Sequence, residues 1–175
     1  PELERLFLKM RILTFATGRL DPPAERIMKV HTDGRDIRDD AYWAGLDHKQ
    51  LFGDLEQFSP YMGPYRAAAE KDFYEEPDPT GIIAFLPVRE VSRQLSVRAQ
   101  LCIRDGRTTE ALEDIRAIIG FGGLGRNHPI LVHQMIAVAV RGIGLEAAYE
   151  YYVYYRRDAE KLRPQFHFTS KRGRL

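Results

Sequence analysis

The sequence is short of the residues that brace small folds or form reactive centres. Cys102 is its only cysteine among 175 residues, so the chain cannot form an internal disulfide or a cysteine-rich metal site. It has no Gly-x-Ser-x-Gly elbow for a serine nucleophile. His128 and His133 are five residues apart, whereas two metal ligands on one helix face need a spacing of four. We therefore predict no catalytic residue, no metal and no other cofactor, although a site assembled from distant segments such as His48 and His133 stays open.

The chain also lacks an excess of either charge. Its 26 basic and 25 acidic residues leave a net charge of +1. That balance gives no overall field to attract nucleic acid or an acidic membrane surface, so nucleic acid is not expected as a partner. The basic residues Lys171, Arg172 and Arg174 at the end are typical of a solvated terminus.

Long uninterrupted apolar runs are missing as well. The most apolar window, 130–148, contains His133, Gln134, Arg141 and Glu146. A helix with these polar groups is better suited to burial in protein than in lipid, and no membrane span is predicted. The chain begins with Pro1 rather than Met, so an N-terminal targeting segment can be missing and the compartment is not predicted.

Alternation of apolar and polar residues with period two, the mark of a strand, is not sustained anywhere. Helical periodicity instead predicts an all-α fold of antiparallel hairpins in one domain, 1–175. A proline-rich connection over 75–86 separates an irregular half, 1–74, from a more regular half, 87–157, and 158–175 form a tail. The predicted helices are Glu2–Ala16, Ala24–Val30, Asp39–Gln57, Pro64–Tyr74, Pro87–Asp105, Thr108–Ile119 and Pro129–Arg157, with Ser59-Pro60 ending the third.

The glycines mark two connections. Gly106 suits a tight reversal between two helices, since glycine adopts positive φ without strain. The run from Gly120 to Gly125 is predicted to be a flexible connector. A phosphate loop is not indicated, because no strand precedes the run and no Lys-Ser/Thr pair follows it.

Residues Ser92 to Ile119 resemble one tetratricopeptide unit, a pair of antiparallel helices with small residues at their crossing and glycine in the turn. Ala99 and Ala111 take the small positions, and Cys102 an inward one, which favours a buried structural thiol. Two positions depart from the pattern: Arg98 stands for the usual Leu and Gly123 for the usual Pro. No second copy occurs 34 residues away, so we predict a tetratricopeptide-like pair followed by one long helix.

More broadly, Asp72 to Tyr152 resembles a group of uncharacterised bacterial helical proteins. The shared segments are Phe73-Tyr74-Glu75-Glu76, Leu86-Pro87-Val88-Arg89, Gly106 to Leu112 and Leu131 to Ala148. The resemblance implies a bacterial helical protein and no particular activity.

The long last helix carries the polar residues of greatest interest. Arg141 and Glu146 interrupt its apolar sequence, so if buried they need partners. They are predicted either to form interhelical ion pairs or, with His133, to bind a small molecule between helices. Ala137, Gly144 and Ala148 are small and predict a close helix approach. Acidic pairs such as Glu113-Asp114 are interpreted as a solvated face.

A cluster of five tyrosines ends this helix, at Tyr149, Tyr151, Tyr152, Tyr154 and Tyr155. They span every side of a helix, so they cannot all lie in one core. Tyrosine is favoured at interfaces because it combines apolar area with a polar tip. We predict that part of the cluster contacts another protein chain or the Phe166-His167-Phe168 tail. The favoured function is therefore protein–protein interaction or a structural subunit, with an enzyme or small-molecule binder as the alternative.

Overall fold

The computed structural model describes residues 22–33, 36–70, 85–124 and 131–162. Every regular element in these ranges is an α-helix, which confirms the all-α fold. The predicted helix Glu2–Ala16, the prolines at 77 and 79, and residues 163–175 lie outside the described residues. The predicted tail, 158–175, begins too early, because the last helix continues to Leu162. The helices are α1 (Pro22–Thr32), α2 (Asp40–Ala44), α3 (His48–Glu56), α4 (Ser59–Ala69), α5 (Phe85–Arg104), α6 (Thr108–Leu124) and α7 (Leu131–Leu162).

Helix α5 is the centre of the molecule. Its residues from Val91 to Ile103 are buried on almost every side, with only Arg93 and Arg98 half-exposed. The helix can be buried this way because α1, α3, α4, α6 and α7 all pack against it. The four polar side chains among its buried residues, Ser92, Gln94, Ser96 and Gln100, therefore lie inside the protein.

The turn between α5 and α6 is the one predicted at Gly106. Its φ is 74°, in the left-handed region that glycine adopts readily. The amide of Arg107 donates to the carbonyl of Cys102 at 2.8 Å, and that of Gly106 to Ile103 at 3.2 Å. This is the hydrogen-bond pattern of a Schellman cap. The cap reverses the chain, and Ala99 and Ala111 are fully buried between the two helices.

The prediction of one helix over Asp39–Gln57 is wrong, because the first helix ends at Ala44 and a second begins at His48. Asp39 caps α2 by accepting from the amide of Tyr42 at 3.0 Å. Asp47 caps α3 in the same way, accepting from Gln50 at 2.9 Å. Aspartate competes for free backbone amides at a helix start, so two such caps separated by Gly45 favour two short helices. Likewise Ser59-Pro60 begins α4 rather than ending α3, with proline in the first turn, where its missing N–H costs nothing.

The glycine run is not the flexible connector that we predicted. Helix α6 continues through Gly120, Gly122 and Gly123 as far as Leu124. A Cβ atom on Gly120 would lie 2.7 Å from the carbonyl oxygen of Ala69, and one on Gly122 would lie 2.7 Å from the amide nitrogen of Arg141. Both glycines therefore let the backbone of α6 approach neighbouring helices, one on α4 and the other on α7.

Helix α7 packs along α5 and α6. The predicted close approach is confirmed at Gly144, where a Cβ atom would lie 2.7 Å from Cγ1 of Ile119. The inward side of α7 contains residues that are fully or almost fully buried: His133, Ala137, Val140, Gly144 and Ala147.

Candidate functional site

The opposite side of α7 is apolar and faces solvent. Six large side chains there are between 53% and 68% exposed: Leu131, Met135, Val138, Leu145, Tyr149 and Tyr152. A soluble helix normally turns polar residues outward and keeps its apolar stripe for the core. Helix α7 therefore has an apolar surface that is exposed among the described residues.

The exposed residues follow a regular spacing. Together with Gly142 they occupy positions 131, 135, 138, 142, 145, 149 and 152, four and three residues apart in turn. We call these seven positions the outer stripe. An alternation of four and three keeps side chains on one side of a helix and is the repeat of coiled coils. The buried positions 133, 137, 140, 144 and 147 follow the same spacing two residues later, about 200° around the helix. Helix α7 thus has two apolar stripes on opposite sides.

The three residues predicted to bind a small molecule lie in different surroundings. His133 is buried, whereas Arg141 and Glu146 are exposed beside the outer stripe. His133 and Glu146 are thirteen residues apart, which is about 20 Å along a helix. They therefore do not meet in one cavity of the described structure, and the small-molecule interpretation stays a prediction.

The tyrosine cluster is divided between core and surface. Tyr149 and Tyr152 belong to the exposed outer stripe, and Tyr151, Tyr154 and Tyr155 pack partly against the core. The ring centroids of Tyr151 and Tyr155 are 4.7 Å apart. The guanidinium of Arg104 lies 5.4 Å from the centroid of the Tyr154 ring, close enough for a cation–π contact. Two of the five rings are thus available to a partner.

Helix α7 is also long and apolar enough over Leu131–Arg156 to cross a membrane, with 33% of its most apolar window buried inside the protein. Length and composition alone do not separate such a span from a helix that packs in protein. The inward stripe lies against α5 and α6, so of the two stripes it is the outer one that is exposed in the described part of the chain.

The acidic residue Asp114 is not part of a solvated face, contrary to our interpretation of Glu113-Asp114. Its side chain is fully buried, and it accepts hydrogen bonds from Arg98 at 2.8 and 2.9 Å and another from Arg66. Burial raises the pKa of Asp114, and the two guanidinium groups oppose that rise. Arg98 also pairs with Glu110 at 2.9 Å. These contacts join α4, α5 and α6, and they account for arginine at a position where the tetratricopeptide pattern has leucine.

Glu150 is a second acidic residue whose side chain contacts a neighbouring helix. It lies on α7, half-buried, and accepts two hydrogen bonds from the amide of Gln100 at 3.0 and 2.8 Å. Loss of solvent contact raises the pKa of Glu150 to about 7. The group therefore titrates near neutral pH and ties α7 to α5.

The remaining reactive side chains have structural surroundings. Cys102 is buried, as predicted, and loss of solvation raises the pKa of its thiol to about 11, so little thiolate is present at neutral pH. His48 hydrogen-bonds through Nδ1 to Asp105 at 3.0 Å and through Nε2 to the carbonyl of Trp43 at 3.1 Å. Within the described ranges, no three His, Cys, Asp or Glu side chains are grouped closely enough to hold a metal ion.

A cleft of about 260 Å³ lies between α1 and the α2–α3 corner. Two of its four charged lining residues have structural contacts. Arg26 forms a bidentate pair with the buried Asp54, both contacts at 2.7 Å, and Asp47 caps α3. The cleft is formed by other elements than α7 and contains none of the predicted ligand-binding residues.

The described residues thus form an all-α fold in which α7 has an exposed apolar face. No family model, no curated protein and no solved structure matches the chain. The likeness of residues 72–152 to uncharacterised bacterial helical proteins therefore stays a prediction.

Proposed function

We propose that this chain is a protein-interaction or structural subunit whose contact surface is the outer stripe of α7. One observation carries the proposal: a regular row of large apolar side chains, more than half exposed, on a helix whose other side is already buried. At ordinary side-chain areas the row presents roughly 700 Å² of apolar surface, more than most monomers leave in one patch and close to one partner's share of a standard interface.

The composition of the stripe supports a protein partner. Tyrosine and methionine are enriched in the cores of protein interfaces, and lysine, aspartate and glutamate are depleted there. The outer stripe has Met135, Tyr149 and Tyr152, and no charged residue occupies any of its seven positions. The charged side chains Arg141 and Glu146 lie at its edges, where an interface is normally polar.

An enzyme or small-molecule binder receives less support. Such sites are concave and combine apolar walls with converging polar groups. His133, Arg141 and Glu146 do not converge, and the pKa of the only thiol is far above neutral.

Site-specific photo-cross-linking in the native cells tests the proposal. A photoreactive amino acid at Val138 or at Leu145 should attach to the same protein from both positions, because both lie on the stripe. Glu113 is exposed on α6 and serves as the control position, from which that protein should not be captured. No protein adduct from either stripe position, or the same adduct from Glu113, would contradict the proposal.

A further inference from the structure

We propose that the outer stripe of α7 binds the outer stripe of a second copy of this chain, forming a parallel, in-register, two-stranded coiled coil. The inference rests on the proposed function and adds the identity, orientation and alignment of the partner. Exposed residues spaced alternately by four and three are the pattern that two helices bury when they supercoil around each other.

The charges beside the stripe favour a second copy. In heptad notation Met135, Gly142 and Tyr149 occupy a positions, and Leu131, Val138, Leu145 and Tyr152 occupy d positions. Arg141 then immediately precedes an a position and is a g residue, and Glu146 immediately follows a d position and is an e residue. In a parallel pair each g residue faces the e residue five places further along the other helix. Arg141 of each copy therefore faces Glu146 of the other.

The same charges select the orientation. Two-fold symmetry repeats the Arg141–Glu146 contact on both sides of a parallel pair. In an antiparallel pair g faces g and e faces e, so Arg141 cannot face Glu146 in any register, and a pair centred on either residue would oppose Arg141 to Arg141 or Glu146 to Glu146. Like charges set against each other disfavour that arrangement. The remaining edge positions of the stripe that are described carry no opposing charges: Val132, Gln134, Ala139, Ala148, Val153 and Tyr155.

The length and rigidity of α7 suit this pairing. The stripe runs about 32 Å from Leu131 to Tyr152, which is about three heptads. An isolated peptide of that length would have to pay the entropy of helix formation on binding. Helix α7 is already packed through its inward stripe on α5 and α6, so the two copies meet as preformed helices and that cost is avoided. Gly142 leaves a small a position in the middle, where the two backbones can come close.

Charge reversal in the full chain tests the pairing. We expect wild-type chain to sediment as a monomer–dimer equilibrium with twice the chain mass at high concentration. Arg141→Glu alone or Glu146→Arg alone should weaken the dimer about tenfold, because two attractive contacts become two repulsive ones. Mixing the two single variants should restore the dimer as a heterodimer, since every facing pair is again of opposite sign. Circular dichroism should show unchanged folding, because both side chains are exposed.

A cysteine substitution tests the orientation and register. Leu145→Cys lies at a d position, where the two copies of a parallel in-register pair touch, so mild oxidation should give a disulfide-linked dimer. Glu113→Cys is the control and should stay monomeric, and the native Cys102 is buried. A dimer that forms but fails to cross-link at position 145, or that ignores the charge reversals, would overturn the parallel arrangement.

The outcomes separate this inference from the proposed function. A wild-type chain that remains monomeric up to about 200 µM overturns the second copy as occupant, because a weaker pair would not assemble in a cell. If photo-cross-linking at Val138 and Leu145 then captures a different protein, the proposed function survives. If the monomer instead binds vesicles of phosphatidylcholine and phosphatidylglycerol, and Val138→Lys abolishes that binding, the stripe is a lipid contact and both proposals fail.

Discussion

Asp114, on α6, connects three helices through its side chain. It is fully buried and receives hydrogen bonds from Arg66 on α4 and Arg98 on α5. A buried carboxylate is tolerated only when its charge is compensated. Both arginines are partly exposed, so water can solvate them when the carboxylate is replaced. Replacing Asp114 should therefore destabilise the fold less than breaking an ion pair whose two members are both fully buried.

We expect Asp114→Asn to lower the free energy of unfolding by about 2–3 kcal/mol, because both carboxylate oxygens accept from Arg98 and the NH₂ group of asparagine would instead stand against a guanidinium N–H donor. Urea unfolding followed by circular dichroism measures the change. Glu113→Gln removes a carboxylate from the exposed neighbouring position and should change stability by less than about 0.5 kcal/mol. Equal effects of the two variants would show that Asp114 does not hold the helices together.

The importance of Asp114 could not be predicted from sequence. Its partners are 16 and 48 residues away, whereas local patterns relate residues within one or two turns. The neighbouring Glu113 makes the pair resemble an ordinary solvated face. The unusual Arg98 was visible as a departure from the tetratricopeptide pattern, but the acid that it pairs with was not. Cys102, by contrast, was predicted correctly because its helical position alone indicates burial.

At the scale of elements, the crossings of α6 with α4 and α7 depend on glycine. Gly120 and Gly122 lie against backbone atoms of Ala69 and Arg141, whereas Gly123 has nothing within 4 Å of an added Cβ. Adjacent residues in the same helix therefore differ completely in what they tolerate.

Gly122→Ala should lower the free energy of unfolding by about 2 kcal/mol or more, because the new methyl group meets a backbone that cannot rotate away. Gly123→Ala should instead raise it by about 0.5 kcal/mol, since alanine is the better helix former and the site is open. Thermal melting of the two variants gives the comparison. If both variants were destabilised, the glycines would be needed for backbone flexibility, as the predicted flexible connector requires.

The elements were predictable to different degrees. The bounds of α5 and the turn at Gly106 follow from a strong apolar period and a glycine cap. The end of α6 was misplaced because glycine lowers helix propensity, and only tertiary contact reveals that it is needed for close packing. The break between α2 and α3 had a local signal, the cap residue Asp47 after Gly45. The outer stripe also had a local signal, the repeated spacing of four and three. That spacing does not distinguish a surface stripe from a buried one, because apolar residues on a helix equally suit a core.

At the scale of the whole molecule, Glu150 makes stability depend on pH. Its pKa is raised to about 7 by burial, so the folded state holds a proton that the unfolded state releases at its ordinary, lower pKa. Stability contributed by this group is therefore present in acid and is lost as pH rises through the interval from about 4.5 to about 7.

Glu150→Gln should remove that part of the pH dependence and raise the free energy of unfolding at pH 8 by about 1 kcal/mol. Glutamine has a similar size and can still hydrogen-bond to Gln100. Urea midpoints at pH 5, 6, 7 and 8, all at one protein concentration, measure the difference between variant and wild type. The difference should grow with pH, and a constant offset would mean that Glu150 does not titrate in this range.

The two-sided α7 also bears on how the protein is made. When α7 leaves the ribosome, α5 and α6 have already been synthesised, so its inward stripe can pack against them at once. Under the function that we propose, the outer stripe stays exposed until a second chain binds it. Until then the newly made protein has an exposed apolar surface of the kind that chaperones bind. Under the pairing that we propose, the interval before binding shortens as the concentration of the chain itself rises.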